Sequence, residues 1–263
     1  GGLMITRAGG LWVIAGGSAA ALVVAMLWVV FTIPERSAEK NPAPQTGPIA
    51  TLIDSFRVNP REHPDFFWLI ASRFLINMGF YTATQFLMYY ISDTLRAPNP
   101  ERLFMLMGVL ATICALIGNF PAGILSDRVS KKRVVYVTAA VTVASAAIFV
   151  SAHTVALAVV AACLYGCGNG AFQAVDWAFA TNLLPERDEA KYLGVWHIAF
   201  TVPQVIAPAI GGPIAFYFNE HVAPGFGYRA VLSLVIVYFV LGTLLIRPIK
   251  ERVLAKKAAP AEV

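Results

Sequence analysis

The chain has 263 residues, of which 58% are hydrophobic and only 13% are charged, and its net charge is +5. Soluble domains average about 25% charged residues, and a soluble protein of this length has too little interior to hide so many apolar side chains. These values exclude an ordinary soluble enzyme or binding domain. They indicate an all-α membrane protein.

Seven apolar runs approach the length of about 20 residues that a helix needs to cross a bilayer. The predicted spans are 10–33, 66–91, 103–125, 134–151, 155–184, 193–218 and 230–246. Residues 34–64, between the first two runs, are rich in proline and charge and predict a linker. Residues 65–250 then predict six closely connected helices, followed by a tail at 251–263.

Lysine and arginine alternate between the two ends of the predicted spans. One end collects Arg36, Lys40, Arg57 and Arg61, the cluster Arg128–Arg133, Arg187 and Lys191, and several basic residues after Ile246. Basic residues favour the cytoplasmic side, so the first residue is expected outside and the C-terminus inside, in the plasma (inner) membrane. The positive charge therefore indicates topology, and we expect no nucleic-acid partner.

The loop after the third span carries Gly123-Ile-Leu-Ser-Asp127-Arg128-Val-Ser-Lys131-Lys132-Arg133. This resembles the signature loop of the major facilitator superfamily, G-x-L-x-D-R-x-G-R-R/K, with Ser130 in place of the usual glycine. The segment Leu184-Pro-Glu186-Arg187 resembles the stretch after helix ten of sugar porters, and residues 66–81 resemble the glycoside and sucrose symporters.

The resemblance implies that the seven spans correspond to helices six to twelve of a twelve-helix fold. Residues 1–33 would be the last helix of an N-terminal bundle, 34–64 the central cytoplasmic loop and 65–250 the C-terminal bundle, with five helices missing before Gly1. It also implies a conformational latch, whose expected residues are Gly123, Asp127, Arg128, Lys132, Arg133, Glu186 and Arg187. A merely solvated basic loop is the alternative.

Two charged residues fall deep inside predicted spans, where charges are costly and usually functional. Arg73 lies nine residues after Pro64, and Asp176 lies nine residues before Pro185. At 1.5 Å per residue both are roughly 13 Å from the same end, and His197 is at a similar depth. We expect Arg73 and Asp176 to pair or to face water together, and Asp176 to carry the coupling proton. Sodium coupling and facilitated diffusion are alternatives.

Polar residues repeat at helical spacing on three spans, which places each set on one helix face. The residues expected to bind solute are Asn77, Tyr81, Gln85, Asn169, Gln173, Trp196, His197 and Gln204. Amides, hydroxyls and aromatic faces suit a small polar solute such as a sugar or glycoside. Hydrogen bonding between helices is the alternative for each amide.

The sequence therefore predicts a secondary active transporter that works by alternating access, with no cofactor, no metal and no enzymatic activity. Cys114, Cys163 and Cys167 lack the spacing of a metal site and are expected to pack in the core. Two alternatives remain: a non-transporting protein of the same fold that acts in assembly or sensing, and a half-transporter that dimerises.

Overall fold

The computed structural model describes residues 10–32, 63–181 and 189–249. Within these ranges every regular element is helical. The helices are α1 (Gly10–Thr32), α2 (Pro64–Tyr89), α3 (Pro100–Arg128), α4 (Lys131–Ser151), α5 (Val155–Thr181), α6 (Glu189–His221) and α7 (Phe226–Leu245). Each coincides with one predicted span to within a few residues, which confirms the all-helical class. The predicted tail and nearly all of the predicted linker lie outside the described residues.

The chain forms two compact units, residues 1–51 and 52–263. The first contains α1, whose 23 residues include no charged side chain. At 1.5 Å per residue, this helix is about 35 Å long, which is enough to cross a bilayer. The second unit contains the other six helices.

Six of the seven described helices have the length and apolar composition of a membrane span, and α2 is the exception. Arg73, Asn77 and Gln85 lower the average hydropathy of α2, although it is 26 residues long. It is packed in the bundle against α6 and α7, so its polar residues are turned toward other helices. Together with the apolar helices, it makes the chain a multi-pass membrane protein.

The six-helix bundle has a simple order of neighbours. Helix α2 packs between α6 and α7, α4 packs between α7 and α5, and α3 packs on α5. Aromatic rings fill the centre: Phe80 makes edge-on contacts with Phe239 and Tyr165 and a tilted contact with Phe172. Such ring pairs stabilise a core by about 0.5–1.5 kcal/mol each beyond the area they bury.

Glycines allow α3 and α5 to approach closely. A Cβ atom added at Gly166 would fall on the backbone of Ala111, and one added at Gly170 would fall on Ala115. In membranes, where lipid is as apolar as the helices, this close backbone packing is a main source of helix association. The two glycines therefore fix the spacing of the α3–α5 pair.

Short contacts close the end of the bundle opposite the signature loop. Helix α2 continues into a π-helical turn, Tyr90–Thr94, and the Tyr90 hydroxyl donates to the Phe149 carbonyl oxygen at 2.6 Å. The Thr94 hydroxyl donates to the Gly225 carbonyl oxygen at 2.6 Å. Gly225 has φ +85°, a conformation that glycine adopts without strain. These bonds join the π-helical turn to the end of α4 and to the residue that precedes α7.

Candidate functional site

Arg73 and Asp176, the two charges predicted inside spans, form an ion pair between α2 and α5. Both side chains are buried, with exposed fractions of 4% and 5%. The pair joins α2 to α5, which also meet through the contacts of Phe80 with Tyr165 and Phe172. Removing one partner of a buried pair typically costs about 3–5 kcal/mol, since the other charge is left uncompensated.

Aromatic rings enclose the guanidinium group of Arg73. Its carbon lies 3.5 Å from the centroid of the Trp196 ring and 4.8 Å from that of Phe200. Trp196 and Phe200 are four residues apart, so both rings project from one face of α6. Cation–π contacts contribute about 0.5–2 kcal/mol, with the larger values in desolvated sites. The arginine is thus held between a carboxylate and two aromatic rings.

A cavity of about 200 Å³ adjoins this pair. Its lining brings together three helices, and consists of Arg73, Gln173, Asp176, Trp177, Trp196, His197 and Phe200. Gln173, Trp177 and His197 are exposed, whereas the ion pair lies beneath them. Arg73 Nε is buried and has no hydrogen-bond partner among the described residues. The cavity therefore offers amide, imidazole and guanidinium groups between aromatic faces.

The polar faces of α2 and α6 meet along one seam. The Gln204 side-chain amide donates to the Tyr81 hydroxyl at 2.9 Å, and the Gln85 amide donates to the Gln204 carbonyl oxygen at 3.2 Å. The Asn77 amide donates to the Ala199 carbonyl oxygen at 3.0 Å. Tyr81 and Gln85 are partly exposed, and Gln204 is exposed.

Two of the residues expected to bind solute are buried in this structure. Asn77 is 2% exposed and bonded to the backbone of α6, and Trp196 is 1% exposed beneath the guanidinium group. Direct contact of either side chain with a solute, which the sequence pattern indicates, stays a prediction, since both are buried in the state described here. Asn77 joins helices, and Trp196 holds Arg73. Asn169 lies on α5 outside the cavity lining, with a buried side-chain oxygen that lacks a hydrogen-bond partner.

Phe200 and Trp177 are the two lining residues that the sequence interpretation did not single out as binding residues. Phe200 lies four residues after Trp196, and Trp177 directly follows Asp176. The i+4 spacing of Trp196 and Phe200 is a signal that the second ring shares the face of the first. Phenylalanine in an apolar span is so common that this spacing carries little weight without the tertiary structure.

The signature loop connects α3 and α4 in a single tight turn. Gly123 and Asp127 lie in the last turns of α3, which ends at Arg128. Ser130 has φ −53° and ψ 125°, so the turn requires no left-handed residue. Serine therefore replaces the usual glycine at this position without backbone strain, because the φ angle is one that any L-residue adopts.

Lys132 has a structural partner that was not expected. Its ammonium group donates to the carbonyl oxygens of Arg247 and Ile249, at 2.6 and 3.1 Å. These carbonyls follow the C-terminus of α7, where backbone acceptors lack helical partners and a cation is favoured. Arg128 and Arg133 are both exposed. Glu186 and Arg187, the other two expected latch residues, lie outside the described residues.

The three cysteines lie on facing surfaces of α3 and α5. They are free thiols, and the Cys167 thiol lies 3.2 Å from the Cys114 carbonyl oxygen. Among the described residues, no group of histidine, cysteine or acidic side chains is arranged to hold a metal ion. This arrangement is compatible with a packing role for the thiols.

Comparison with known proteins matches residues 99–262 to the Major Facilitator Superfamily. Two curated relatives from Mycobacterium tuberculosis are each named as an uncharacterized MFS-type transporter: MT1926 of strain CDC 1551 / Oshkosh and Rv1877 of strain H37Rv. Each is 30% identical over 98 residues, which are 37% of this chain but only 14% of the relative. The chain thus spans a small part of these relatives. Because the family match covers more than half of the chain, the chain belongs to the Major Facilitator Superfamily.

Proposed function

We propose that this chain is part of a secondary active transporter that moves a small polar solute across the membrane by alternating access. The observation that carries the proposal is the buried Arg73–Asp176 pair beside an exposed polar and aromatic cavity. A protein that served only as an assembly factor or sensor would not need such a cavity inside a membrane bundle. Charges within a span are otherwise rare, because burying them is costly.

Proton coupling is proposed to run through Asp176. In the state described here the carboxylate is paired with Arg73, which compensates its charge. If α2 and α5 separate during transport, Asp176 loses that partner, and protonation then compensates its buried charge. A proton that binds to Asp176 in one state and leaves in the other couples movement of the solute to movement of protons down their gradient.

The solute contacts are proposed to come from the exposed residues Gln173, His197, Tyr81, Gln85 and Gln204. Their amide, imidazole and phenol groups donate and accept hydrogen bonds, which suits a polar molecule of which a sugar or glycoside is one candidate. Asn77 and Trp196 position these groups from beneath. Further contacts are expected from an N-terminal half in the same parent chain, since superfamily sites of this kind lie between two repeats.

The test is uptake by the full-length parent in proteoliposomes, beginning with radiolabelled sucrose and extending to other radiolabelled polar solutes. An imposed proton gradient should drive accumulation of the solute that is carried. Asp176→Asn should abolish accumulation while downhill exchange continues, because the amide cannot release a proton. Glu101→Gln, an exposed acid in the first turn of α3, is the matched control and should accumulate solute normally. Normal gradient-driven accumulation by Asp176→Asn would contradict the coupling role.

A further inference from the structure

A second, larger cavity lies at the end of the bundle opposite the signature loop. It has a volume of about 770 Å³ and lies among α2, α6 and α7. We call it the outer pocket, and its lining is Gln85, Phe86, Tyr89, Pro208, Gly212, Ala215, Phe216, Asn219, Glu220 and Tyr228. Sites for drug-sized ligands typically have volumes of about 300–1,000 Å³. The outer pocket is therefore large enough for a whole organic molecule.

The outer pocket continues the polar face of α2. Tyr81, Gln85 and Tyr89 follow one another at intervals of four residues, so each lies one turn from the next along the polar side of α2. Gln85 belongs to both regions, since it lines the outer pocket and bonds to Gln204 on the seam. A molecule in the outer pocket is thus at one end of a polar path toward Asp176.

The only charged side chain in the described lining is acidic. Glu220 is an exposed carboxylate, and the described lining contains no lysine, arginine or histidine. A second acid, Asp93, lies close to the Tyr228 hydroxyl from outside the lining. Two basic residues follow lining residues in the sequence: the His221 ring stacks on Tyr217, and Arg229 directs its guanidinium group to the Ala152 carbonyl oxygen at 2.8 Å. With Glu220 and Asp93 against Arg229, the net formal charge of these groups is negative. The local charge favours a cation.

Aromatic faces supply the rest of the recognition. The rings of Tyr89 and Tyr228 are stacked, with centroids 5.8 Å apart and an interplanar angle of 11°. Tyr89 is 55% exposed and Phe216 is 68% exposed, so both offer a free ring surface. Aromatic faces attract cations electrostatically and also accept apolar groups. A carboxylate beside such faces is the arrangement that binds organic cations.

We propose that the outer pocket is a separate binding site that takes a monovalent organic cation, with Glu220 as its charge partner and Tyr89 as its aromatic platform. If this site is also the first contact of the transported solute, that role rests on the proposed function. It would then limit the solute to a molecule that bears an amine or another cationic group. Binding of a cation to this site can be measured without a transport assay. A neutral sugar would not need Glu220.

The experiment measures equilibrium binding of tetraphenylphosphonium to the purified full-length parent, with tetraphenylborate as a probe of the same shape and opposite charge. Saturable binding of the cation is expected, and Glu220→Gln should weaken it about tenfold, as expected for loss of one partly screened charge contact. Tyr89→Ala should also weaken it. Glu101→Gln removes an exposed acid outside the pocket lining and should leave cation binding unchanged. Because Glu220 is exposed, its substitution should not disturb folding.

Two results would overturn this proposal: equal binding of the cation and the borate anion, or unchanged cation binding by Glu220→Gln. Asp176→Asn separates the two proposals, because it should abolish gradient-driven accumulation and leave tetraphenylphosphonium binding intact. Loss of cation binding in Asp176→Asn would place the cation at the inner ion pair and overturn the outer site. If uptake fails to depend on Asp176 while binding depends on Glu220, only the coupling proposal fails.

Discussion

The burial of Arg73 shows how one residue in a membrane bundle can serve structure and function together. Its guanidinium group is paired with Asp176 and lies against Trp196 and Phe200, so its charge is compensated on several sides. The depth of both charges follows from the sequence, since each is nine residues from a proline near the same end. The aromatic enclosure does not, because it depends on how α6 is rotated against α2.

The stability of the ion pair can be separated from its role in transport by a double-mutant cycle. Asp176→Leu should destabilise the protein by about 3–5 kcal/mol, because Arg73 is then buried without a counter-charge. Adding Arg73→Met should restore much of this loss, since two apolar side chains replace the pair. Thermal unfolding in detergent measures both effects, and uptake should remain absent in the double variant. Equal destabilisation by the single and double variants would show that the loss of stability does not come from an uncompensated charge on Arg73.

At the scale of elements, small residues and helix ends determine how the bundle is assembled. Gly166 and Gly170 allow the backbones of α3 and α5 to touch, and Lys132 joins the start of α4 to the end of α7. The sequence indicates that glycines permit close approach and that basic residues follow the signature motif. It does not indicate which helix the glycines or Lys132 contact, because both contacts join segments that are far apart in the chain.

A side chain at Gly166 should force α3 away from α5. Gly166→Val places its Cβ on the backbone around Ala111, which cannot move as a flexible side chain can, and overpacking of this kind costs about 1–3 kcal/mol or more. The melting temperature in detergent should fall. Gly108→Ala is the matched control, since nothing lies within 4 Å of the added atom, and it should unfold like the unmodified protein. A normal melting temperature for Gly166→Val would show that the helices are not in close contact.

Removal of the Lys132 ammonium group should loosen the end of α7. Lys132→Met leaves the Arg247 and Ile249 carbonyl oxygens without their side-chain donor, and hydrogen bonds to charged groups contribute about 1.5–3 kcal/mol. Amide hydrogen exchange of residues 246–249 should become faster. Arg128→Met removes an exposed charge from the same loop and should leave this exchange unchanged. If these amide hydrogens exchange at the normal rate in Lys132→Met, the lysine does not hold the end of α7 and interacts with lipid headgroups at the membrane surface instead.

On the scale of the whole molecule, we propose that this chain supplies one side of the transport path. The Arg73–Asp176 cavity lies within its six-helix unit and is bordered by exposed side chains. A transporter of this superfamily places its solute between two repeats, so the remaining contacts are proposed to lie in an N-terminal half of a longer parent chain.

The length of the parent chain is open to direct measurement. A peptide tag at the C-terminus should detect, in native membranes, a protein clearly larger than the 28.3 kDa of this sequence. After that result, uptake and binding would be measured with the longer protein. A protein of 28.3 kDa would contradict the proposal of a parent with an N-terminal half, and would favour a dimeric or non-transporting role.

The sequence by itself determined the helices, because each apolar run must satisfy its backbone hydrogen bonds within the run to enter a bilayer. It also placed Arg73, Asp176 and His197 at one depth, since rise per residue is constant along a helix. Only the tertiary structure decided that Asn77 and Trp196 are buried, that Lys132 caps α7, and that Tyr89 and Glu220 line one pocket. These features depend on the rotation and spacing of helices distant in the chain, which arise from packing and not from local periodicity.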